Sequence, residues 1–177
     1  MIVVETERLI LRHLREDDQE DLLRILSDPI TMSFWPSPYT EEGTREWIAR
    51  NRERYAALGF GRYAVILRES GALIGDCGLM RLEIDGTLEN DLGYIISHDH
   101  WRQGYATEAA EACKTYAFGA LNLHRLCANM PVEHTASRRV AEKIGMRLEK
   151  QFQNKRNRDI WTCLYSLGRE SRDDPRA

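Results

Sequence analysis

The chain has 177 residues, of which 42% are hydrophobic and 30% are charged. These values predict one soluble domain that is large enough to bury a substantial core. The formal net charge of −3 argues against a dedicated nucleic-acid-binding protein. No apolar run approaches the roughly 18 residues that predict a membrane-spanning helix.

The start of the chain and its cysteines favour a cytoplasmic location. The stretch MIVVETERLILR lacks the basic start and long apolar region of a signal peptide. The four cysteines are scattered and form no CxxC pair, which favours reduced thiols in a cytoplasmic protein.

The first third of the chain predicts a strand followed by two helices. Residues 8–14, RLILRHL, alternate apolar and polar side chains, as a half-buried strand does. An apolar stripe over residues 22–26 predicts a helix, which ends at Asp28 because the residue before Pro29 avoids the helical region. Thr40 can cap a second helix whose first turn is acidic.

Residues 32–39, MSFWPSPY, predict an irregular loop between these helices, since Pro36 and Pro38 interrupt regular structure. The loop nevertheless carries three aromatic side chains, which form either a packed lid over the core or one wall of a pocket. These aromatic residues are Phe34, Trp35 and Tyr39.

The middle of the chain predicts consecutive strands joined by short turns. Turn signals occur at residues 69–71 and 85–86. The three segments that they separate, residues 62–67, 72–82 and 88–97, carry strand patterns. This arrangement predicts an antiparallel meander.

A polar turn follows residues 88–97, and a helical pattern then runs from about Gly104 to Leu121. Gly104 has no Cβ, so a bulky anion can approach the backbone there. The first amides of a helix lack intrahelical partners and lie at the positive end of its dipole. Strand, small-residue turn and helix start together predict a phosphate site. The spacing matches neither a P-loop nor a three-glycine dinucleotide fingerprint.

The last third predicts a strand, a helix and two further strands. Residues 125–130 follow a helix, so we expect this strand to pair in parallel with residues 88–97. The next helix ends at Gly145. Strand patterns over 146–152 and 160–167 flank a charged hairpin tip.

Two stretches resemble the GNAT acyltransferases. The sequence WRQGYATEAA, from Trp101, resembles their pyrophosphate-binding signature, Gln/Arg-x-x-Gly-x-Gly/Ala. Its form is most similar to the branch that includes the RimJ/RimL-type ribosomal-protein N-acetyltransferases. Trp101 stands at the Gln/Arg position of that signature, where it brings no charge.

The second stretch, VEHTASRRVAEKIGMRLE, resembles the GNAT signature Asn-x-x-Ser-x-x-Val-x-Glu-Lys-x-Gly-Phe. His134 stands where Asn is usual, and Met146 stands where Phe is usual. The matching positions are Ser137, Val140, Glu142, Lys143 and Gly145. Two signatures in the right order are far more specific than either alone.

The resemblance covers roughly residues 6–167 and implies an α+β GNAT fold. This fold would have a mixed, mostly antiparallel sheet of six to seven strands flanked by about four helices. Acetyl-CoA would lie in a cleft between splayed central strands. We expect a single domain over residues 1–168 and a short tail over 169–177, in a monomer or homodimer with no nucleic-acid or membrane partner.

The resemblance also implies which residues hold acetyl-CoA. They belong to the end of the strand over 88–97, to the phosphate turn with its helix start, and to the second signature. They are Ile95, Ile96, Ser97, Arg102, Gln103, Gly104, Tyr105, Ala106, Thr107, His134 and Ser137. We expect no metal site, because the histidines show no ligand spacing with a third partner.

Acetyl transfer to an amine requires a base, because a free amine is mostly protonated at neutral pH. Asp91 lies in DLGY, where RimL-like relatives often carry Glu in ELGY, and is the first candidate. Glu89 is the second, and a solvated strand carboxylate is the alternative to any role for Asp91.

The leaving thiolate needs a proton. Ser137 matches a serine proposed to supply it in this branch, although a serine near a helix start often bonds only its own helix. Tyr94 and Tyr105 are other candidate acids.

The acceptor would enter from the side opposite the phosphates, near Phe34, Trp35 and Tyr39. The leading interpretation is acetylation of the α-amino group of a protein or peptide. The alternatives are acetylation of a small amine, such as a polyamine, amino acid or drug, and a non-catalytic acyl-CoA-binding module. The sequence does not choose among acceptors.

Overall fold

The computed structural model describes residues 1–169. These residues form eight strands and four α-helices. The strands are β1 (Ile2–Glu5), β2 (Leu9–His13), β3 (Arg62–Leu67), β4 (Leu73–Ile84), β5 (Thr87–Ile96), β6 (Arg125–Pro131), β7 (Arg147–Asn154) and β8 (Ile160–Gly168). The helices are α1 (Gln19–Leu26), α2 (Glu41–Leu58), α3 (Tyr105–Gly119) and α4 (Thr135–Lys143). The expected tail, beyond Arg169, lies outside the described residues.

All eight strands belong to one open sheet, in the order β1-β2-β3-β4-β5-β6-β8-β7. Neighbouring strands are antiparallel except β5 and β6, whose pairing is parallel, as the intervening helix α3 predicts. The α+β, mostly antiparallel fold is confirmed. The sheet has one strand more than expected, because β1 is a short edge strand without alternating polarity.

The helices cover opposite faces of the sheet. Residues of α1 and α2 pack with Ile95 of β5 in one hydrophobic cluster. Residues of α3 and α4 pack with Leu92 and Ile96 of β5 in another. Because side chains alternate along a strand, β5 separates two distinct environments. No α-helix within residues 1–169 is both long and apolar enough to cross a membrane.

Local signals explain the ends of the helices that border the site. The Thr40 side chain accepts a hydrogen bond from the backbone N–H of Gly43 at 3.1 Å, which confirms the expected cap of α2. Helix α3 lies close to the sheet because its inner face is made of small side chains. These are Ala109, Ala110, Cys113 and Ala117, each 1% exposed or less.

The small face of α3 generates a stability prediction. Ala110→Leu adds volume to a fully buried position and should lower the free energy of unfolding by about 1–3 kcal/mol. Thermal unfolding should show a fall in Tm of roughly 2–4 °C for each kcal/mol. The matched control is Ala120→Leu, at an exposed position just beyond the helix. Equal Tm values for the two variants would contradict the close packing of α3.

Candidate active site

The site forms where β5 and β6 separate. Their ladder contains one pair, Asp91 with Cys127, although β5 continues to Ile96. Ser97 donates from its backbone N–H to Ile74 on the β4 side at 2.8 Å. Alternate residues of a strand bond to opposite neighbours, so Ile95 also faces β4.

The same alternation turns the backbone polar groups of Tyr94 and Ile96 toward the gap between β5 and β6. The structure thus changes the expected backbone set of Ile95, Ile96 and Ser97. Tyr94 and Ile96 face the gap, whereas Ile95 and Ser97 bond to the β4 side. The Ile96 carbonyl is already occupied, because it accepts a hydrogen bond from Trp101 Nε1 at 2.7 Å.

Asp91 stands at the point where the ladder ends. Its Oδ1 accepts hydrogen bonds from the Asn129 side chain at 2.8 Å and from the Asn129 backbone N–H at 3.2 Å. The side chain of Asp91 therefore accepts a hydrogen bond from the β6 amide that lies next along the ladder. A carboxylate thus stands where a strand carbonyl would otherwise accept, and the ladder has no further pair beyond Asp91.

The environment of Asp91 suits a base. Only 5% of the residue is exposed, and burial raises the pKa of its carboxyl to about 6, against the opposing effects of the Asn129 hydrogen bonds and the charge of Arg62. A carboxyl with this pKa is mostly ionised at neutral pH and still accepts a proton readily.

Glu89, the second candidate base, is held elsewhere. It forms an ion pair with Arg125, whose Nη2 lies 3.1 Å from Glu89 Oε1. The same guanidinium also pairs with Glu149 at 2.7 Å. Glu89 does not line the cavity that contains Asp91.

Ser137 and Tyr94 meet on the α3–α4 face of the gap. The Tyr94 hydroxyl donates to the Ser137 carbonyl at 2.7 Å, and the Ser137 hydroxyl donates to Tyr94 Oη at 3.3 Å. Both residues line the same cavity as Asp91. Tyr105, the other expected acid, does not line this cavity. The Cζ atom of Arg8 lies over the Tyr105 ring, 4.5 Å from the ring centroid.

The cavity has a volume of about 510 Å³ and brings several expected residues together. Its predicted members are Phe34, Trp35, Asp91, Ile95, His134 and Ser137. Tyr39, which was also expected near the acceptor, packs edge-on against Trp47, with ring centroids 5.8 Å apart, and does not line this cavity.

Aromatic stacking closes one side of this cavity. The rings of Phe34 and His134 stack with centroids 4.0 Å apart. Burial lowers the pKa of His134 to about 4, so this imidazole is neutral at physiological pH. The loop is also tied to the β7–β8 hairpin, because Asn157 donates to the Phe34 carbonyl at 3.0 Å.

The expected phosphate turn lies apart from this cavity, at the start of α3. Gly104 adopts the left-handed conformation, with φ of 82°, which favours a residue without a Cβ. Gly104 is exposed, and the three residues that follow it are partly exposed. Within residues 1–169, the backbone N–H groups of residues 105–107 make no hydrogen bond outside the helix, so they can bind an anion.

Arg8 is a cation at this turn that the signature did not reveal. It donates from Nη1 to the Gln103 carbonyl at 2.9 Å, and its Nη2 lies 3.3 Å from the place where a Cβ on Gly104 would stand. Glu108 holds the other edge of its guanidinium. Arg102, the expected cation, is exposed, and its backbone is left-handed with φ of 62°.

Sequence patterns also missed Asn129 and Arg62. Asn129 interrupts an apolar strand, which is a signal of a buried polar contact. Arg62 begins β3 and has the pattern of a surface charge, yet only 3% of it is exposed. Its Nε donates to Asp76 Oδ1 at 2.7 Å, and it lines the cavity near Asp91.

A family model described as an acetyltransferase (GNAT) domain matches residues 8–147. The chain belongs to the GNAT acetyltransferase family. Members of this family use acetyl-CoA to acetylate amines, so the chain is an acetyltransferase.

Individual relatives agree with this assignment. The N-acetyltransferase YnaD of Bacillus subtilis, whose function is uncharacterised, is 33% identical over 150 residues, covering 84% of this chain and 85% of the relative. A crystal structure of a GNAT-family acetyltransferase from Bacillus anthracis is 31% identical, with a TM-score of 0.80 over 97% of this chain and 100% of that one.

A putative ribosomal-protein-serine acetyltransferase from Vibrio cholerae is 25% identical, with a TM-score of 0.78. The match covers 96% of this chain and 98% of that one. The resemblance to the ribosomal-protein branch of the GNAT family is therefore confirmed at the level of structural neighbours.

The hydrogen bond from Asn129 to Asp91 generates a prediction for this GNAT acetyltransferase. Because that bond lowers the pKa of Asp91, Asn129→Ala should raise it, moving the acidic limb of kcat from near pH 6 toward neutral pH. The measurement is kcat against pH with one saturating amine. The control is Asn90→Ala, whose side chain lies on the opposite face of β5. An unchanged acidic limb in Asn129→Ala would exclude Asp91 as the titrating group.

Proposed function

We propose that this GNAT enzyme transfers the acetyl group of acetyl-CoA to the α-amino group of a protein or peptide, by direct attack within a ternary complex. The observation that carries the proposal is Asp91, a buried carboxylate with a raised pKa at the end of the β5–β6 ladder. There the gap connects the α1–α2 face of the sheet with the α3–α4 face. An amine and a thioester can therefore meet beside one base.

The proposed coenzyme site runs from the start of α3 into the gap. The accessible amides after Gly104, with Arg8 nearby, suit a diphosphate. Acetyl-CoA supplies the acetyl group as a thioester. The backbone N–H of Tyr94, which faces the gap, is the candidate donor to the thioester oxygen as that oxygen gains charge.

The proposed proton transfers use the side chains on either side of the gap. Asp91, directly or through a water, takes the proton that the attacking amine must lose. The amine nitrogen then forms the new bond to the acetyl carbon as the carbon–sulfur bond breaks. Ser137 gives its hydroxyl proton to the leaving thiolate and regains a proton from water, while Asp91 releases its proton to water. Tyr94, which accepts a hydrogen bond from the Ser137 hydroxyl, orients that hydroxyl.

The charges of the cavity favour an α-amine over a polyamine. Three cationic residues, Arg62, Lys155 and Arg156, line it together with three acidic residues, Glu83, Asp85 and Asp91. Asp85 is also neutralised by Lys150 at 2.7 Å. A polycation would be better matched by a clear acidic excess. The similarity to the putative ribosomal-protein-serine acetyltransferase supports a protein acceptor.

The coenzyme site is tested by thermal unfolding. Acetyl-CoA at about a hundred times its Kd should stabilise the enzyme by about 2.7 kcal/mol and raise its Tm. Gly104→Glu should abolish this shift, because a carboxylate would stand against the diphosphate. Gly104→Ala is the matched control for the added Cβ and the backbone strain, and it should lose less of the shift than Gly104→Glu because it brings no negative charge. Retention in Gly104→Glu would place the diphosphate elsewhere.

The reaction is tested by thiol release with a panel of acceptors. Short peptides with a free N-terminus should be acetylated, and Asp91→Asn should lower kcat by about 10²–10⁴-fold while the acetyl-CoA Tm shift persists. Acetylation of small amines alone would overturn the protein acceptor. Binding of acetyl-CoA without turnover of any acceptor would favour the non-catalytic alternative.

A further inference from the structure

A buried arginine crosses the floor of the acceptor cavity. Arg62 on β3 is paired across the sheet with Gly78 on β4, and Gly78 is paired with Gly93 on β5. The side chain of Arg62 extends along this row, over positions that have no side chain. A Cβ built on Gly93 would lie only 1.7 Å from Arg62 Nη1. The absence of a side chain at Gly93 thus provides the space that brings the guanidinium onto β5.

The guanidinium is held firmly on one edge. Arg62 Nε donates to Asp76 Oδ1 at 2.7 Å, and Trp47 Nε1 donates to Asp76 Oδ2 at 2.8 Å. Asp76 is fully buried. Asp76 thereby compensates the charge of Arg62, while helix α2, through Trp47, fixes the orientation of the carboxylate.

The other edge of the guanidinium has unused donors. Arg62 Nη2 is buried in the ion pair with Asp76, 2.5 Å from its Oδ1, so it belongs to the same edge as Nε. The remaining donors are those of Nη1, which make no hydrogen bond with any residue in 1–169 and are not among the buried atoms. An unpaired polar group in a cavity wall is costly unless a ligand satisfies it. Arg62 lines the cavity, so these donors are available to a molecule bound there.

The guanidinium stands next to the candidate base. Gly93, which it covers, is two residues from Asp91 on the same face of β5, and two residues of strand span roughly 7 Å. In an α-aminoacyl group the amine nitrogen and the carbonyl oxygen are about 3 Å apart. With a hydrogen bond of about 2.9 Å at each end, this group spans the distance from Asp91 to Arg62.

We propose that Arg62 binds the first carbonyl oxygen of the acceptor while Asp91 receives the proton of its α-amine. This assignment rests on the proposed function and deepens it: the enzyme selects amines whose amine-bearing carbon is bonded directly to a carbonyl group, as in every peptide N-terminus. A polyamine offers no such oxygen and brings a second positive charge toward the guanidinium. Arg62 is thus a specificity-determining residue.

The first test uses the unmodified enzyme and two acceptors. One is a dipeptide amide, and the other is its trans-alkene isostere, which keeps the shape of the first peptide bond but lacks the oxygen. We expect kcat/KM, expressed per concentration of unprotonated amine, to be at least 10-fold lower for the isostere. Equal values for both acceptors, or faster acetylation of 1,4-diaminobutane than of the dipeptide, would overturn the proposal.

The second test moves the guanidinium without removing it. Gly93→Ala places a methyl group against Nη1 and should reduce the preference for the dipeptide over the isostere to less than 3-fold. Gly119→Ala, where an added Cβ meets no atom within 4 Å, is the control and should keep the preference. A merely structural role for Arg62 would lower kcat/KM for both acceptors equally, and that result would also overturn the proposal.

The outcomes separate this inference from the proposed function. If no peptide is acetylated while small amines are, the proposed function fails. If the dipeptide and the isostere react equally, the proposed function stands and the role of Arg62 fails. The acetyl-CoA Tm shift of each variant reports whether that variant is folded. If a variant does not fold, the comparison of acceptors on the unmodified enzyme still tests the role of Arg62.

Discussion

The contact between Asp91 and Asn129 is the interaction on which the site depends. Strands β5 and β6 pair in parallel for a single residue pair, and the Asp91 carboxylate then accepts the next β6 amide. The sheet opens there without leaving that amide unpaired, which would be costly in a buried position. One side chain therefore ends the ladder, opens the gap and stands at its edge with a raised pKa.

Two layers of polar contacts surround this opening. On the α3–α4 face, Tyr94 and Ser137 bond to each other. On the α1–α2 face, Arg62 is fixed by Asp76 and lies against β5. Because successive side chains of β5 point to opposite faces, the Asp91 carboxylate and the Tyr94 hydroxyl reach one gap from different layers of the protein.

The sequence predicted the frame better than the details of the site. Strand-like runs and the turn signals between them located seven strands, and the helix between β5 and β6 correctly predicted their parallel pairing. The missed strand β1 lacks alternation. Arg62 could not be found from its own pattern, since an arginine at a strand start is usually solvated. The room for its guanidinium depends on Gly93, which becomes its neighbour only through the strand register.

The sequence also predicted only part of the candidate site. The resemblance to the family motifs predicted Asp91 and Ser137 as site residues, and both line the cavity. Tyr39 was expected near the acceptor, but it packs on Trp47. Proximity in a loop does not determine which aromatic ring turns inward. The backbone groups that face the gap follow from hydrogen-bond alternation, which requires the register that only the structure supplies.

The tether between the loop over residues 32–39 and the β7–β8 hairpin has an evolutionary consequence. Asn157 holds the Phe34 carbonyl, and both residues line the cavity, whereas no residue of the turn at Gly104 does. Natural variation in these two segments can reshape the acceptor wall while the α3 turn stays unchanged. Diversification of acceptors within such a scaffold then requires no redesign of the machinery for the shared donor.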